Sequence, residues 1–403
     1  MTPLLPVDDA VARIISGVSP VSSEDVALAE GAGRTLAESL NARRTQPPFN
    51  ASSMDGYAVR AADTAHAPAT LRVIGVSAAG HHYDGIVGEG EAVRIFTGAP
   101  VPSGADAILI QENAEAGGDG TVTAKQATSA GRHIRQAGLD FQANALLLDT
   151  GRQLGMREIA LAAAMGHSRL PVRRHPRVAI VATGDELVAP GTVPALDQIF
   201  AASSPGLAAY VHGLGGQPHD LGIVRDDRAA IAGMVERALA LPTDVVLTIG
   251  GASVGDHDLV QDALTDAGFT LDFWRVAMRP GKPLLYGRIG ETHVLGLPGN
   301  PVSSLVCAIL FLRPLIAALL GQRQRDPTAS ATLGGDLPEN DDRQDYVRAR
   351  LATRHGDLPA AIPLPVQDSS MLGVLATADC LIVRQPHAPA VARGEPCRII
   401  PLP

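Results

Sequence analysis

Apolar runs and helix-like stretches alternate between residues 176 and 321. Four of the runs stop at a polar turn that contains glycine or aspartate. They are VAIVAT (178–183), LGIV (221–224), VVLTIG (245–250) and HVLGL (293–297). Helical patterns occupy about 204–213, 227–241, 258–267 and 302–320. This alternation predicts an α/β domain with a parallel sheet. Because ligands bind beyond the carboxyl ends of parallel strands, we expect the four turns to line one pocket.

The turn within HVLGLPGNPVSS (293–304) gives the strongest single signal. Its Gly/Pro turn frees backbone N–H groups, the helix that follows adds partial positive charge, and Ser303 and Ser304 can donate hydroxyl protons. Such a turn suits phosphate or a similar oxyanion. The same pattern also fits an ordinary strand-to-helix loop with proline at the first helical position. Taken alone, the stretch leaves both interpretations open.

The regions on either side of this domain have other patterns. Residues 46–140 are rich in glycine, proline and short β-like runs, whereas 8–44 and 141–170 contain helix-like stretches. The tail alternates β-like runs such as YVRARL and CLIVRQ with Gly/Pro turns, which is typical of a small β-sandwich or barrel. We therefore predict a multi-domain α/β plus β fold. Its parts are a discontinuous linker domain (1–45 plus 141–175), a β-rich insertion (46–140), the α/β domain (176–325) and a C-terminal β-barrel-like domain (326–403).

Length and charge narrow the class of protein. The chain has 403 residues, which exceeds the usual limit of one hydrophobic core. Its net charge is −9 and it has no basic block, so nucleic acid is a poor candidate partner. Cys307, Cys380 and Cys397 show no CxxC spacing, which is typical of a reducing compartment and argues against a structural zinc site.

The beginning of the chain and one apolar stretch bear on localisation. The start MTPLLPVDDAVARIISG lacks the pattern of a secretory signal, so we predict a cytoplasmic protein. Residues 302–320 are strongly apolar, but Arg313 and Pro314 interrupt them. We interpret this stretch as a buried helix bent at Pro314 and predict no membrane partner.

Lysine is rare in this chain. Of 33 basic residues only Lys125 and Lys282 are lysine. A lysine kept within RPGKPLLYG is a candidate for binding a small oxyanion, since a compact ammonium does what a guanidinium cannot. Chance survival at a tolerant position is the alternative.

Two turns of the insertion also carry polar groups. Asp55 precedes a strand in FNASSMDGYAVR, and Thr97 precedes a proline-rich turn in IFTGAPVPSGADAILIQE. In isolation these residues are ordinary turn formers.

The turns of the insertion and of the α/β domain lie within six sequence motifs. The motifs are SSMDGYAVR, IFTGAPVPSGAD, ATGDEL, GGASVGDHD, MRPGKP and LPGNPVSS. In this order they resemble the molybdopterin molybdotransferase family, known as MoeA in bacteria and similar to the E domain of gephyrin. The resemblance implies an elongated four-domain subunit and a homodimer with the site shared between subunits. It also implies insertion of molybdate into adenylylated molybdopterin with release of AMP and assistance from Mg²⁺, and possible contact with the molybdopterin adenylyltransferase.

The resemblance and the residue chemistry together assign roles. Predicted catalytic residues are Asp55, Thr97, Asp140, Glu186, Asp226, Asp258 and Lys282. Predicted substrate or molybdate ligands are Gly251, Ser253, Arg275, Arg279, Pro283, Pro298, Asn300, Pro301, Ser303 and Arg348. Predicted metal ligands are Asp185, Glu186, Asp256 and Asp258, because carboxylates repel phosphate but bind magnesium. Helix caps and solvated turns are the alternative for any single aspartate.

Some positions depart from the family pattern. Leu139 stands where an acidic residue usually precedes Asp140, and Ala201, Ala202 and Ser203 replace an Asp/Asn-Ser/Thr-Asn run. These changes remove polar groups from the expected substrate face. A second hypothesis is therefore a molybdopterin-binding carrier or scaffold without transferase activity. A third takes only the α/β domain, which resembles domains of other pterin- or nucleotide-handling enzymes, but the insertion motifs argue against it.

Overall fold

The computed structural model describes residues 4–251, 259–352 and 358–403. The chain begins with α1 (Val7–Ile15), followed by β1 (Ser23–Ala27), a 3₁₀ turn (Leu28–Glu30) and β2 (Leu40–Asn41). Asp8 and Asp9 lie in the first turn of α1, where carboxylates favour a helix start. Its buried face packs into the hydrophobic core of the α/β domain.

The insertion is a β domain. Its elements are β3 (Ala51–Ser52), β4 (Gly56–Val59), α2 (Ala61–Thr64), β5 (Ala69–Ser77), β6 (Glu91–Ile95), β7 (Ala107–Ile110), a 3₁₀ turn (Gln111–Asn113), β8 (Ala114–Ala116), β9 (Thr121–Ala124) and β10 (Ile134–Arg135). Six strands form one sheet in the order β7-β4-β6-β5-β9-β8. The β-rich character read from the glycine and proline content is confirmed.

The chain then returns to the linker region through β11 (Leu146–Leu148), α3 (Met156–Ala164) and β12 (Arg169–Arg173). Strand β12 pairs antiparallel with β1, and β11 pairs with β2. One hydrophobic cluster joins the two segments, from Val26 to Ala42 and from Phe141 to Val172. The domain boundaries given above stay a prediction.

The α/β domain is built on a mixed sheet. Its elements are β13 (Arg177–Thr183), β14 (Leu187–Val188), β15 (Ile199–Phe200), α4 (Ser203–Gly213), β16 (Gln217–Val224), α5 (Arg228–Ala240), β17 (Val245–Ile249), α6 (Leu259–Asp266), β18 (Thr270–Trp274), β19 (Met278–Arg279), β20 (Leu285–Ile289), β21 (Thr292–Leu297), α7 (Pro301–Cys307), a π-helical turn (Ala308–Leu312) and α8 (Arg313–Leu319). The order of the main sheet is β16-β13-β17-β21-β20-β18. The first four strands are parallel to one another, as predicted. Strand β20 runs antiparallel to both of its neighbours, β21 and β18.

Both faces of this sheet are covered because side chains alternate along each strand. Val178 and Ile180 of β13 enter the core shared with α1, α4 and α7, while Ala179 and Val181 enter the core shared with α5 and α6. This layering leaves the carboxyl ends of the parallel strands as the open edge.

The apolar stretch Pro301–Leu319 is one continuous helix with a π-helical turn. It is long and apolar enough to cross a membrane, but 72% of its most apolar window is buried inside the protein, which is typical of a core helix. Pro314 has no N–H to continue the helical ladder, and the π turn Ala308–Leu312 ends just before it. The helix therefore departs from regular α-helical geometry in the turn before Pro314, whereas the sequence predicted a bend at Pro314 itself.

The C-terminal region closes into a small barrel. Its elements are β22 (Ala329–Leu333), β23 (Gln344–Ala352), β24 (Ala360–Pro363), α9 (Leu372–Leu375), β25 (Cys380–Arg384) and β26 (Pro396–Pro401). The order β23-β24-β22-β26-β25 closes by pairing of β25 with β23. Strand β19 of the preceding region adds to β23. The barrel-like prediction is confirmed.

Candidate functional site

The polar turns beyond the parallel strands meet in two pairs. The Gly184 amide donates to the Val224 carbonyl at 3.2 Å, and the Gly250 amide donates to the Leu297 carbonyl at 3.1 Å. Gly250 has φ +89°, and a Cβ there would lie 2.6 Å from the Thr183 carbonyl oxygen. Only glycine tolerates this close approach. These contacts place the four turns next to one another at the carboxyl ends of the strands. That they line one ligand pocket stays a prediction.

Three carboxylates lie together beyond β13 and β16. The Asp226 amide donates to Asp185 Oδ1 at 3.3 Å. The pKa of Asp226 is raised, first by burial and then by the negative charges of Asp185 and Glu186. Such repulsion would be relieved by a cation with oxygen ligands.

The predicted metal site stays a prediction. Within the described ranges no three acidic, histidine or cysteine side chains converge closely enough to hold a metal ion by themselves. Asp256 and Asp258, predicted as metal ligands, lie outside the described residues together with Ser253. Asp185, Glu186 and Asp226 supply the right atoms for magnesium but not a complete ligand set.

The turn between β21 and α7 contacts the barrel. Asn300 Nδ2 donates to Ser369 Oγ at 3.0 Å, and the Val302 amide donates to the Ser369 carbonyl at 3.0 Å. Ser303 is 4% exposed, and its hydroxyl has no hydrogen bond to another described residue. Ser369 was missed by the sequence reasoning. The hydroxyl-rich turn QDSSML around it was the only available signal.

Arg348 is the most unusual charged group in the described part of the chain. It is 1% exposed, and both its Nε and Nη1 lack a hydrogen-bond partner there. Burial lowers its pKa, while Asp345 and Asp368 favour the charged form. A buried guanidinium with free donors is costly, so its presence indicates an anionic ligand.

Gln367 connects Arg348 with the turn that carries Ser369. Gln367 Oε1 accepts from the Arg348 amide at 2.9 Å, and Gln367 Nε2 donates to the Arg348 carbonyl at 3.0 Å. These bonds hold the strand against residues 367–370. Since Ser369 contacts the β21–α7 turn, these bonds connect the strand that carries Arg348 with that turn. The role of Arg348 as an oxyanion ligand stays a prediction.

The segment between β18 and β20 carries the other predicted cations. Lys282 is exposed and makes no ion pair with another described residue, and Pro283 follows it. Arg275 has φ +72°, lies 3.9 Å over the Trp274 ring, and has a buried Nε without a partner among the described residues. Arg279 differs, since its Nη2 donates to Asp345 Oδ2 at 2.6 Å.

The insertion contributes a separate polar pair. Asp55 Oδ1 accepts from the Thr97 amide at 2.7 Å and from Thr97 Oγ1 at 2.8 Å. These two hydrogen bonds lower the pKa of Asp55. Neither residue, nor Asp140, has a hydrogen bond or ion pair to the α/β domain within the residues that the structure describes. Within one chain, these three predicted catalytic residues are therefore not joined to the pocket.

The positions that depart from the family pattern have distinct environments. Leu139 is 67% exposed, whereas Ala201 is buried. Ser203 Oγ lies 3.2 Å from Ser304 Oγ, so it joins the start of α4 to the start of α7. Ser203 therefore keeps a hydroxyl at this edge of the pocket.

One cavity of about 860 Å³ lies elsewhere, between α1, α8 and the barrel. It contains none of the predicted site residues, and its lining includes Val11, Arg313 and Tyr346. The chemistry described above does not use it.

Comparison with known families covers most of the chain. The model of the MoeA N-terminal region (domain I and II) matches residues 5–166, that of a probable molybdopterin binding domain matches 179–318, and that of the MoeA C-terminal region (domain IV) matches 330–402. A molybdopterin molybdenumtransferase of Haemophilus influenzae is 32% identical over 401 residues, covering 99% of this chain and 98% of that protein. The chain belongs to the MoeA family. The resemblance stated from the six motifs is confirmed.

Further relatives agree with this membership. A molybdopterin molybdenumtransferase of Bacillus subtilis is 34% identical and covers 94% of this chain and 90% of its own length. A crystal structure of the molybdopterin biosynthesis MoeA protein from Pyrococcus horikoshii superimposes with a TM-score of 0.85 at 30% identity, covering 99% of both chains. This MoeA-family chain is thus a transferase of molybdenum cofactor biosynthesis, as predicted.

Proposed function

We propose that this MoeA-family enzyme inserts molybdenum from molybdate into adenylylated molybdopterin and releases AMP, with Mg²⁺ as the assisting ion. The observation that carries the proposal is Arg348, a buried guanidinium whose Nε and Nη1 have no partner among the described residues. Gln367 binds its strand to the segment whose Ser369 contacts the β21–α7 turn. Molybdate is a tetrahedral dianion, so it suits fixed cations and hydroxyl or amide donors.

The oxyanion would be held from two domains. Arg348 and Ser369 approach from the barrel, and Ser303 and the amides near Pro298 and Pro301 approach from the α/β domain. Lys282 is exposed and has no ion pair with another described residue, so its compact ammonium would be available to bind the oxyanion. Fixed donors on both sides would orient molybdate toward the dithiolene sulfurs of the substrate.

The carboxylates would act on the other half of the substrate. Asp185, Glu186 and Asp226 together with substrate oxygens would hold Mg²⁺, which neutralises and polarises the pyrophosphate-like link to AMP when bound. In its absence these carboxylates repel that link. Asp256 and Asp258 remain predicted ligands.

Asp55 and Thr97 enter the proposal through a second subunit. They are preorganised on the insertion, where Thr97 is exposed and Asp55 is half-buried, and they have no described contact with the pocket of their own chain. A homodimer in which the insertion reaches the partner's pocket would bring them to the substrate. We extend the proposal to such a dimer, acting in the cytoplasm and supplied by an adenylyltransferase.

The test is AMP release from adenylylated molybdopterin by the purified protein with Mg²⁺, over a molybdate titration and with molybdate omitted. The proposed function predicts molybdate-dependent AMP release and formation of active cofactor. Tight substrate binding without AMP release would contradict it and would favour the carrier or scaffold.

A further inference from the structure

Strand β19 joins the two domains that form the oxyanion pocket. Its residues Met278 and Arg279 pair in parallel with Gln344 and Asp345 of β23. The Gln344 amide also donates to the Ala277 carbonyl at 2.9 Å. The barrel sheet therefore includes a strand from the segment that carries Lys282.

The Arg279 side chain strengthens this junction. Its Nη2 lies 2.6 Å from Asp345 Oδ2 and 3.3 Å from Asn340 Oδ1, and its Nη1 lies 3.3 Å from Asp341 Oδ2. The Asp345 side chain is only 18% exposed. Hydrogen bonding to Asp345 raises the pKa of Arg279, with the charges of Asp345 and Asp341 acting in the same direction.

The acceptors themselves are fixed. Asn340 Nδ2 donates to the Arg343 carbonyl at 2.7 Å and to the Gln385 carbonyl at 2.8 Å. Asp341 Oδ1 accepts from the Arg343 amide at 3.0 Å. Arg279 thus binds a fixed set of acceptors that includes the carboxylates of Asp345 and Asp341. Asp341 also pairs with Arg343 at 2.9 Å, so the cluster is neutral and the donors of Arg279 are already engaged, which makes it a poor ligand for a dianion.

The other side of the same loop is fixed to the α/β core. Gly281 has φ +112°, and a Cβ there would lie 2.5 Å from Cys307 Sγ and 3.0 Å from Met278 Cε. The loop therefore has no room to move toward α7. On its other side the loop is bound to the barrel through Arg279.

Position along the chain connects this junction with both cations. Lys282 follows Arg279 by three residues, and Arg348 follows Asp345 by three residues on β23. We propose that Arg279 is a positioning residue that clamps the Lys282 loop to the Arg348 strand and so sets the spacing of the two cations, without contacting the oxyanion. This revises the substrate-ligand role given to Arg279 from the sequence, and it rests on the proposed oxyanion site.

The decisive comparison is between Arg279→Gln and Asp345→Asn in the full-length protein. Binding of inorganic molybdate and of tungstate is measured by calorimetry, and molybdate KM and kcat are measured in the AMP-release assay. The clamp predicts that both variants weaken oxyanion binding, each by on the order of ten- to a hundredfold, since small misplacements of binding groups have such effects. A direct ligand role predicts opposite signs, because Asp345→Asn would remove one of the two carboxylates that compete with the oxyanion for Arg279 and would tighten binding.

The exchanged pair Arg279→Asp with Asp345→Arg completes the cycle. The clamp predicts recovery of most of the lost affinity, since the ion pair is restored with the charges reversed. Asp266→Asn is the matched control, because Asp266 pairs with Arg228 at 2.7 Å on the surface away from the barrel. It should leave affinity unchanged.

Hydrogen exchange at the Gln344 amide separates this inference from the proposed function. Loss of protection in Arg279→Gln, with none in Asp266→Asn, would show that the ion pair holds the junction. Unaltered protection and affinity in both single variants would overturn the clamp. If the wild-type protein bound neither oxyanion, the proposed function would fail together with this role for Arg279, and exchange would still report on the junction.

Discussion

The pocket at the barrel junction and the tip of the insertion satisfy their polar groups in opposite ways. Arg348 is buried with two nitrogens that have no partner among the described residues, whereas half-buried Asp55 receives two hydrogen bonds from Thr97. The carboxylates differ likewise, since the pKa of Asp226 is raised and that of Asp55 is lowered. The junction leaves buried donors that an anionic ligand would satisfy. At the tip, Asp55 and Thr97 satisfy each other within the insertion. Any catalytic role of this pair must therefore come from contact with another subunit.

Substitution of Arg348 should have the largest effect on activity. In Arg348→Met we expect loss of molybdate-dependent turnover by about a hundredfold or more, because fixed charge at the oxyanion is removed. Folding should not suffer, since a buried guanidinium without partners is itself costly. Turnover and thermal unfolding measure the two effects.

Arg384 provides the matched control in the same barrel. It is also buried, but its Nη2 donates to the carbonyls of Pro338 at 2.8 Å and Pro389 at 2.6 Å. Arg384→Met should therefore cost about 1–3 kcal/mol of folding stability, because it leaves carbonyls unsatisfied. If Arg348→Met were the destabilised variant and kept its turnover, Arg348 would be structural.

Mixing two inactive variants tests whether the tip serves a second subunit. Asp55→Asn and Arg348→Met should each lose turnover alone. Random exchange of subunits gives heterodimers as about half of all dimers, each with one intact shared site, so about a quarter of wild-type activity should return. Absence of any recovery after proven subunit exchange would count against a shared site.

Asp119 is the control for the tip. It accepts hydrogen bonds from Thr121 in the same domain, and these lower its pKa as Thr97 lowers that of Asp55. Asp119→Asn should leave turnover unchanged if Asp55 acts by contacting the pocket of a second subunit. An equal loss in both variants would show that such pairs only maintain the fold of the insertion.

The carboxylates differ in their expected dependence on pH and Mg²⁺. Because the pKa of Asp226 is raised, its proton persists to higher pH, and Mg²⁺ must displace it. The Mg²⁺ concentration for half-maximal turnover should therefore rise as pH falls through this raised pKa. Asp226→Asn should weaken Mg²⁺ dependence by about ten- to a hundredfold and flatten its response to pH.

Asp226 should also affect stability in the metal-free protein. A carboxyl with a raised pKa contributes stability while protonated, and this contribution is lost as pH rises from the unfolded to the folded pKa. Asp226→Asn should consequently unfold at a slightly higher temperature at neutral pH. Asp227→Asn is the control, since Asp227 caps α5 by accepting from the Ala230 amide at 2.9 Å, and asparagine preserves that role. The same thermal shift in both variants would show that the raised pKa of Asp226 does not lower the stability of the folded protein.

The sequence by itself determined the layers of this protein. Alternation of runs such as VAIVAT and VVLTIG with helical stretches specified the parallel strands, because side-chain period and turn chemistry are local properties. The turns at Gly184 and Gly250 were predictable for the same reason, and the six motifs specified the family. Local patterns also allowed the barrel to be anticipated from short β-like runs.

Only the tertiary structure decided which charges are free. Arg279 and Arg348 are both arginines on strands of the barrel sheet, yet the first pairs with Asp345 and the second is buried without partners for two of its nitrogens among the described residues. Ser369 follows Asn300 by 69 residues in sequence. The two residues are in contact because the barrel packs against the start of α7. These properties depend on packing between distant segments. No local pattern of polar and apolar residues contains that information.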